Sequence, residues 1–361
     1  MSADKKEAIT FLRKPVKKTS IVVMPDFFMD RIISLNFDSQ VFCSTVSSIV
    51  QHKGGSVDQI AQADLRGGNA INVASALLAL EVEVTPIICT SMLGLEQIRF
   101  HLKQYSVDLA HVKPFPDASM TTALEFASGA EKANVMLRSL GSLANFGPAD
   151  LTEEDYEVVE KADYVCLFNW AGTKRHGTAL TENVFARAKK GGCKTYLDTA
   201  DPLPNKERIP ELMKKVLIGE EVDVLSVNEN EAVTFASQLS SKIEENQGKV
   251  EFNELALLSA QILAKHLRAR IDLHTTTFAA TVTKERAFLV PAFKIKALRA
   301  TGAGDAWDAG NLVGDANGLS TEARLTLANA VSACYLSNPV GVHPNRQELI
   351  KFLEQHNAPI G

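Results

Sequence analysis

The sequence predicts an α/β fold: a mainly parallel central sheet flanked by helices, with a small β-sheet lid. Three observations carry that expectation. Apolar, β-branched stretches recur at Ile21–Met24, Val84–Cys89, Tyr164–Phe168, Thr195–Leu197, Val222–Val227 and Phe278–Val282, with helical patterns between several of them. Two glycine turns, at Gly67-Gly68 and Gly302-Ala303-Gly304, each lead into an apolar-periodic helix. Two further stretches, 31–50 and 121–138, break the alternation and read as strands that cannot bury both faces alone.

Residues 1–20 carry Lys5, Lys6, Arg13, Lys14, Lys17 and Lys18 with no apolar signal region after them, and read as a solvated basic tail. Residues 21–361 then read as one α/β domain, its lid drawn from about 31–60 and 112–140. Arg31 to Val50 is rich in β-branched and aromatic residues and shows no helix signal. Thr121–Ala127, a turn at Ser128–Lys132 and Ala133–Arg138 read as a hairpin; an edge extension of the central sheet is the plainer alternative to a lid. Helices are expected at Asn183–Lys190, Ile209–Leu217 and Asn253–Arg268, and an exposed loop at Ser240–Lys249.

Composition bounds the function. Hydrophobic residues at 45% and charged residues at 22% are ordinary for a globular protein, and a net charge of -5 disfavours nucleic acid as a partner. No apolar run approaches the roughly 20 residues that span a bilayer, so no membrane partner and a cytoplasmic location are expected. Cys43, Cys89, Cys166, Cys193 and Cys334 are scattered without a C-x-x-C pair, which speaks against a disulfide framework or a zinc site. The eight histidines show no H-E-x-x-H spacing, and no metal cage built of protein ligands alone is expected.

The most informative run is Ala300 to Gly310. Its glycines allow a tight turn that leaves successive N–H groups free at a helix N-terminus, a cradle for an anion. Asp305 places a carboxylate in that cradle, where it opposes anion binding unless it does chemistry there; a general base beside a transferring phosphoryl group fits. A glycine turn followed by a first-turn Asp is the simpler reading. In Gly67-Gly68-Asn69-Ala70-Ile71-Asn72, the two asparagines are three apart and can face one side of a first helical turn, suited to holding hydroxyls. Asn228-Glu229-Asn230-Glu231 follows a buried-strand pattern.

Together and in this order, these motifs resemble the PfkB carbohydrate kinases, the ribokinase-like sugar and nucleoside kinases. The resemblance runs from about Ile21 to the C-terminus, and Thr301–Asp305 is its most specific part. It implies a ribokinase-like fold and transfer of a nucleotide's terminal phosphoryl group, with ATP as donor and Mg²⁺ required, to a hydroxyl of a sugar or nucleoside. Asp305 matches the catalytic aspartate, with Gly302, Ala303 and Gly304 as the anion hole. Asp30 matches the aspartate that holds sugar hydroxyls, with Asp26 as its near competitor. Gly67, Gly68, Asn69 and Asn72 match the substrate-binding turn, and Asn169 is a further substrate contact or simply a cap. Asn228 and Glu231 match an N-x-x-E motif, Asn228 near the nucleotide and Glu231 towards the metal. Asn329 aligns with the region lining the adenine pocket. A homodimer through the lid is a further implication.

Two departures from the family pattern stand out. Ala300 replaces a usual aspartate associated with a monovalent cation, so weak potassium activation is expected. The glycine-containing loop reads here as Thr281–Arg286, leaving Thr283 as its phosphate contact, with Lys284 and Arg286 either replacing amide donors by side-chain charge or standing as exposed loop cations. Two other classes compete. A dinucleotide-dependent oxidoreductase needs its G-x-G-x-x-G after the first strand, whereas Gly302 and Gly304 lie near the C-terminus and Gly310 comes too late. A catalytically silent ribokinase-like binding or regulatory protein is opposed by the retained Asp305 and mildly favoured by Ala300 and the altered loop.

Overall fold

A computed structural model describes residues 1–128, 131–298 and 301–356. In chain order its strands are β1 (Ser20–Met24), β2 (Phe28–Leu35), β3 (Ala61–Gly67), β4 (Glu83–Pro86), β5 (Cys89–Thr90), β6 (Lys113–Pro114) and β7 (Ser119–Ser128). They continue with β8 (Glu131–Ser139), β9 (Tyr164–Leu167), β10 (Lys194–Asp198), β11 (Val224–Asn228), β12 (Arg270–His274), β13 (Phe278–Val282) and β14 (Ala287–Pro291). The central sheet has the order β14-β13-β12-β11-β10-β9-β1-β4. Its pairings are parallel from β4 to β12, and β13 and β14 close one edge as an antiparallel hairpin.

Helices cover both faces of this sheet, so β1 and β9 within it are apolar at nearly every position. The period of two sorts side chains between two cores. Val22, Met24, Val165 and Leu167 enter one, while Ile21, Val23, Tyr164 and Cys166 enter the other. A smaller sheet has the order β3-β2-β7-β8, with β2 parallel to β7 and antiparallel to β3. The expected hairpin is the β7–β8 pair, with Thr121 opposite Arg138; Gly129 and Ala130 of its turn lie outside the described residues. No described helix is long and apolar enough to cross a membrane.

Three expectations are corrected. Residues 1–20 are not a solvated tail: Ala3–Leu12 is a helix whose Ala8, Ile9 and Leu12 are buried against the C-terminal helices. The lysines had masked an apolar stripe at helical spacing, and Arg346 ties this helix down by donating to the carbonyls of Phe11 and Leu12. The stretch 31–50 is not all strand, because Ser39–Gln51 is a helix. Asp38 caps it, accepting from the Val41 N–H at 2.9 Å, and that cap outweighs the β-branched content. Finally, β12 escaped the sequence reading, because Arg270, Asp272 and His274 interrupt its apolar pattern.

The missed strand moves a site residue. β13 runs antiparallel to β12, with His274 opposite Ala279 and Ile271 opposite Val282. Thr283 therefore lies beside the start of β12, at the edge of the sheet away from Asp305, where its hydroxyl meets the Arg286 carbonyl. The structure therefore does not bring Thr283, Lys284 or Arg286 to the end of the sheet where the glycine turns lie. The loop that leaves the site end of the sheet is Thr275–Thr277; there the Thr276 N–H donates to Glu229 at 2.9 Å.

Candidate active site

The site forms where the two glycine turns meet. The helices Asn69–Ala79 and Ala303–Ala316 pack together, which sets their N-termini side by side at the carboxyl ends of the strands. Gly302 opens the second helix with φ +81°, and a Cβ there would lie 2.7 Å from the Tyr335 hydroxyl. Intrahelical bonding begins with Ala306 N–H to Gly302 O, so the N–H groups of Gly302, Ala303 and Gly304 precede the first helical bond.

Asp305 sits at this junction, 6% exposed. Asn69 Nδ2 donates to its Oδ1 at 2.8 Å and Asn72 Nδ2 to its Oδ2 at 2.9 Å. The three-residue spacing of the asparagines thus serves the carboxylate itself. Burial pushes the Asp305 pKa up to about 7; the Asn72 hydrogen bond opposes the rise, while Asp198 and Asp26 add to it.

Asp30 and Asp26 separate cleanly. Asp26 is fully buried and accepts from the N–H groups of Asn69 and Ala70 and from Asn169 Nδ2, at 3.0, 2.9 and 2.8 Å. It fixes the glycine turn, and Asn169 serves the same turn, being the residue that reaches it from beyond β9. Asp30 instead lines a cavity of about 550 Å³, together with Gly68, Asn69, Asn72, Gly302 and Asp305. Its Oδ1 is enclosed and has no hydrogen-bond partner among the described residues. Burial raises its pKa to about 6, against the pull of a Thr121 hydrogen bond and the Arg138 charge. Arg138, which the sequence did not single out, lies over the Phe28 ring at 5.2 Å and lines the same cavity. The lid strands supply much of that lining, from Ile32, Ala63, Thr121 and Met136.

No curated protein is similar enough to this chain to count as a match. The family model described as pfkB family carbohydrate kinase matches residues 46–347. The chain belongs to the pfkB family. Solved structures agree on the fold. An Arabidopsis thaliana ribokinase complexed with ribose and ATP aligns at TM-score 0.68 and 16% identity, covering 94% of this chain and 99% of that one. A Sinorhizobium meliloti adenosine kinase gives the same four values. A Xylella fastidiosa fructokinase with bound ATP aligns at TM-score 0.68 and 17% identity, again over 94% and 99%.

Against that family background, Asn228 and Glu231 form a reciprocal cap on the helix Glu229–Ser237. Asn228 Oδ1 accepts from the Asn230 and Glu231 N–H groups, and Glu231 accepts from the Asn228 N–H at 2.9 Å and from its Nδ2 at 2.7 Å. Glu231 is 3% exposed; burial pushes its pKa well up, and the nearby Asp198 charge pushes it further. Asn329 makes its hydrogen bonds within the protein. Its Oδ1 accepts from Trp307 Nε1 at 2.9 Å and its Nδ2 donates to the Pro291 carbonyl, so the amide is spent on holding the indole and β14. Ala300 lies outside the described residues.

Three residues beneath the site gave no motif: Asp198 ends β10, His274 ends β12, and Asp308 follows Asp305 by one helical turn. Burial lowers the His274 pKa to about 4, so the ring is neutral. Trp307 lies against it, ring centroids 5.0 Å apart. Burial raises Asp308 well above the ordinary carboxylate range, and Asp198 adds to the rise. Of the three, only Asp308 carried a sequence signal, one helical turn after Asp305; Asp198 and His274 carried none.

Proposed function

We propose that this chain transfers the terminal phosphoryl group of ATP to a hydroxyl of a sugar or nucleoside, with Asp305 as general base. The observation that carries the reading is the placement of Asp305. A buried carboxylate with a pKa of about 7 stands at the floor of the cavity and at the N-terminus of a glycine-led helix. In the transfer, the acceptor oxygen forms its bond to the terminal phosphorus as the bridging oxygen departs with ADP. The acceptor proton passes to Asp305 as that bond forms. The N–H groups of Gly302, Ala303 and Gly304 stabilise charge on the transferred group. ATP as donor is supported by its presence in two of the fold relatives.

The acceptor is held between Asp30, whose free Oδ1 suits a hydroxyl, and the Gly67–Asn72 turn. A cavity of about 550 Å³ falls within the range of small-molecule sites. Magnesium fits the acidic end of the site: Glu231 is a buried acid whose pKa the nearby Asp198 charge raises further, an arrangement that a cation relieves. Glu231 would hold the ion through its water shell, since Mg²⁺ keeps several waters, and the ion would neutralise phosphate charge. The test is a coupled assay of ADP release across sugars and nucleosides, for the unmodified protein and Asp305→Asn. The reading requires acceptor-dependent ADP release that falls at least ~10²-fold in the variant. Near-normal turnover in the variant would remove Asp305 from the mechanism.

A further inference from the structure

We propose that Asp198, His274 and Asp308 form a site for a divalent transition-metal ion, filled without nucleotide and separate from the magnesium that accompanies ATP. One nitrogen of His274 and one carboxylate oxygen from each acid all lie within 4.8 Å of one another. An ion about 2.1 Å from each donor keeps its ligands roughly 3–4 Å apart, so small side-chain adjustments suffice. This is the one such cluster of His, Cys, Asp or Glu donors among the described residues.

A second observation points to a ligand. Asp308 is 0% exposed, yet its Oδ2 has no donor unless it shares a proton with the Asp198 carboxyl beside it, and His274 Nε2 is enclosed and unpartnered. Buried polar atoms are ordinarily paired, and two orphans in one three-residue cluster mark the place of a missing partner. The remaining atoms are held as ligands of a metal are held. Asp308 Oδ1 accepts from the Tyr196 hydroxyl and from Ser226 Oγ, each at 2.6 Å, and Asp198 Oδ1 accepts from the Ala200 N–H at 2.8 Å. Trp307 packs on the imidazole and is itself fixed by Asn329. Such outer contacts orient ligands and set their basicity.

The donor set chooses the ion. One neutral imidazole with two carboxylates suits Mn²⁺, Co²⁺ or Zn²⁺, whereas Mg²⁺ and Ca²⁺ prefer oxygen alone. The three ligands come from β10, β12 and the helix Ala303–Ala316, which is why no spacing in the sequence showed them. Gly304 sits over the site: a Cβ there would lie 3.3 Å from His274 Cε1.

The test uses the full chain, stripped with a chelator and free of nucleotide, titrated with Mn²⁺ and with Co²⁺. Mn²⁺ binding is read as loss of the free-ion electron paramagnetic resonance signal, and Co²⁺ binding as visible d–d absorption. The site requires one equivalent of either ion, retained in millimolar Mg²⁺. Affinity should fall at least tenfold in both Asp308→Asn and His274→Gln. Circular dichroism checks the fold; His274 is partly exposed, so its variant guards against misfolding of the other. The proposal is overturned if neither ion binds stoichiometrically, the two acids then sharing a proton. It is also overturned if both variants bind as the parent does, or if binding appears only with ATP. None of these readouts involves turnover, so they stand apart from the test of the kinase reaction.

Discussion

Asn72 Nδ2 donates to Asp305 Oδ2 at 2.9 Å, joining residues 233 positions apart and binding the two glycine turns into one site. The bond favours the charged carboxylate. Removing it in Asn72→Ala raises the Asp305 pKa above about 7. The acidic limb of the kcat/KM profile should move to higher pH by up to about one unit, with the high-pH plateau less affected. An unmoved limb would show that another group governs it.

Asp305 also shapes stability. Its folded pKa of about 7 lies above the unfolded value, so the folded state holds an extra proton between about pH 4 and pH 7. This group's contribution therefore weakens as pH rises through that window, by up to roughly 4 kcal/mol in total. Asp305→Asn abolishes the slope. Urea unfolding at pH 5 and pH 8 should show the variant gaining on the parent at the higher pH.

Asp30 and Gly67 should fail together. A Cβ on Gly67 would come 2.2 Å from Asp30 Oδ2, so Gly67→Ala must displace that carboxylate. Both Gly67→Ala and Asp30→Ala should lower kcat/KM by about 1–3 kcal/mol, roughly 5- to 150-fold. Asp26→Ala should instead lower the melting temperature, because it frees three buried donors. If Asp26→Ala cuts kcat/KM in a protein of unchanged stability and Asp30→Ala does not, the acceptor is held by Asp26.

At the far end of the helix Ala303–Ala316 lies an ionic cluster. Asp272, 0% exposed, accepts from Arg270 and from Arg324, both at 3.0 Å or less, and Arg270 also meets Asp315 at 2.8 Å. Burial alone would raise Asp272, but Arg270 and Arg324 hold it below the usual carboxylate range. Its stabilisation is full above the unfolded value of about 3.9 and lost as pH falls through the lower folded one. Arg324→Met should cost about 3–5 kcal/mol at pH 7. The deficit against the parent, read by urea titration, should shrink as pH falls below about 4.

Much of the site was legible because its chemistry is local. A glycine turn entering a helix appears as such in the sequence, and so do the aspartate and asparagines in its first turn. Asp30, Gly68, Asn69, Asn72, Gly302 and Asp305 all line one cavity. What stayed hidden follows from reading polar residues as solvent-facing. Arg270, Asp272 and His274 alternate along β12 toward an interior that is itself polar, so the strand lacked its apolar signature. The sequence pattern alone places the loop at Thr281–Arg286, after β13, whereas β12 ends at the site and is followed by Thr275–Thr277.

By itself, the sequence determined the fold class and both glycine turns, since β-branched runs, helical periods and glycines act through short-range sterics and burial. Only the tertiary structure decided which partners those residues meet. Asn69 and Asn72 turn to Asp305, Asp26 is spent on the turn that Asp30 leaves free, and Asn329 is spent on Trp307. The reason is physical. A hydrogen bond is satisfied by whatever group packing brings within about 3 Å, and packing joins residues whose separation along the chain carries no signal.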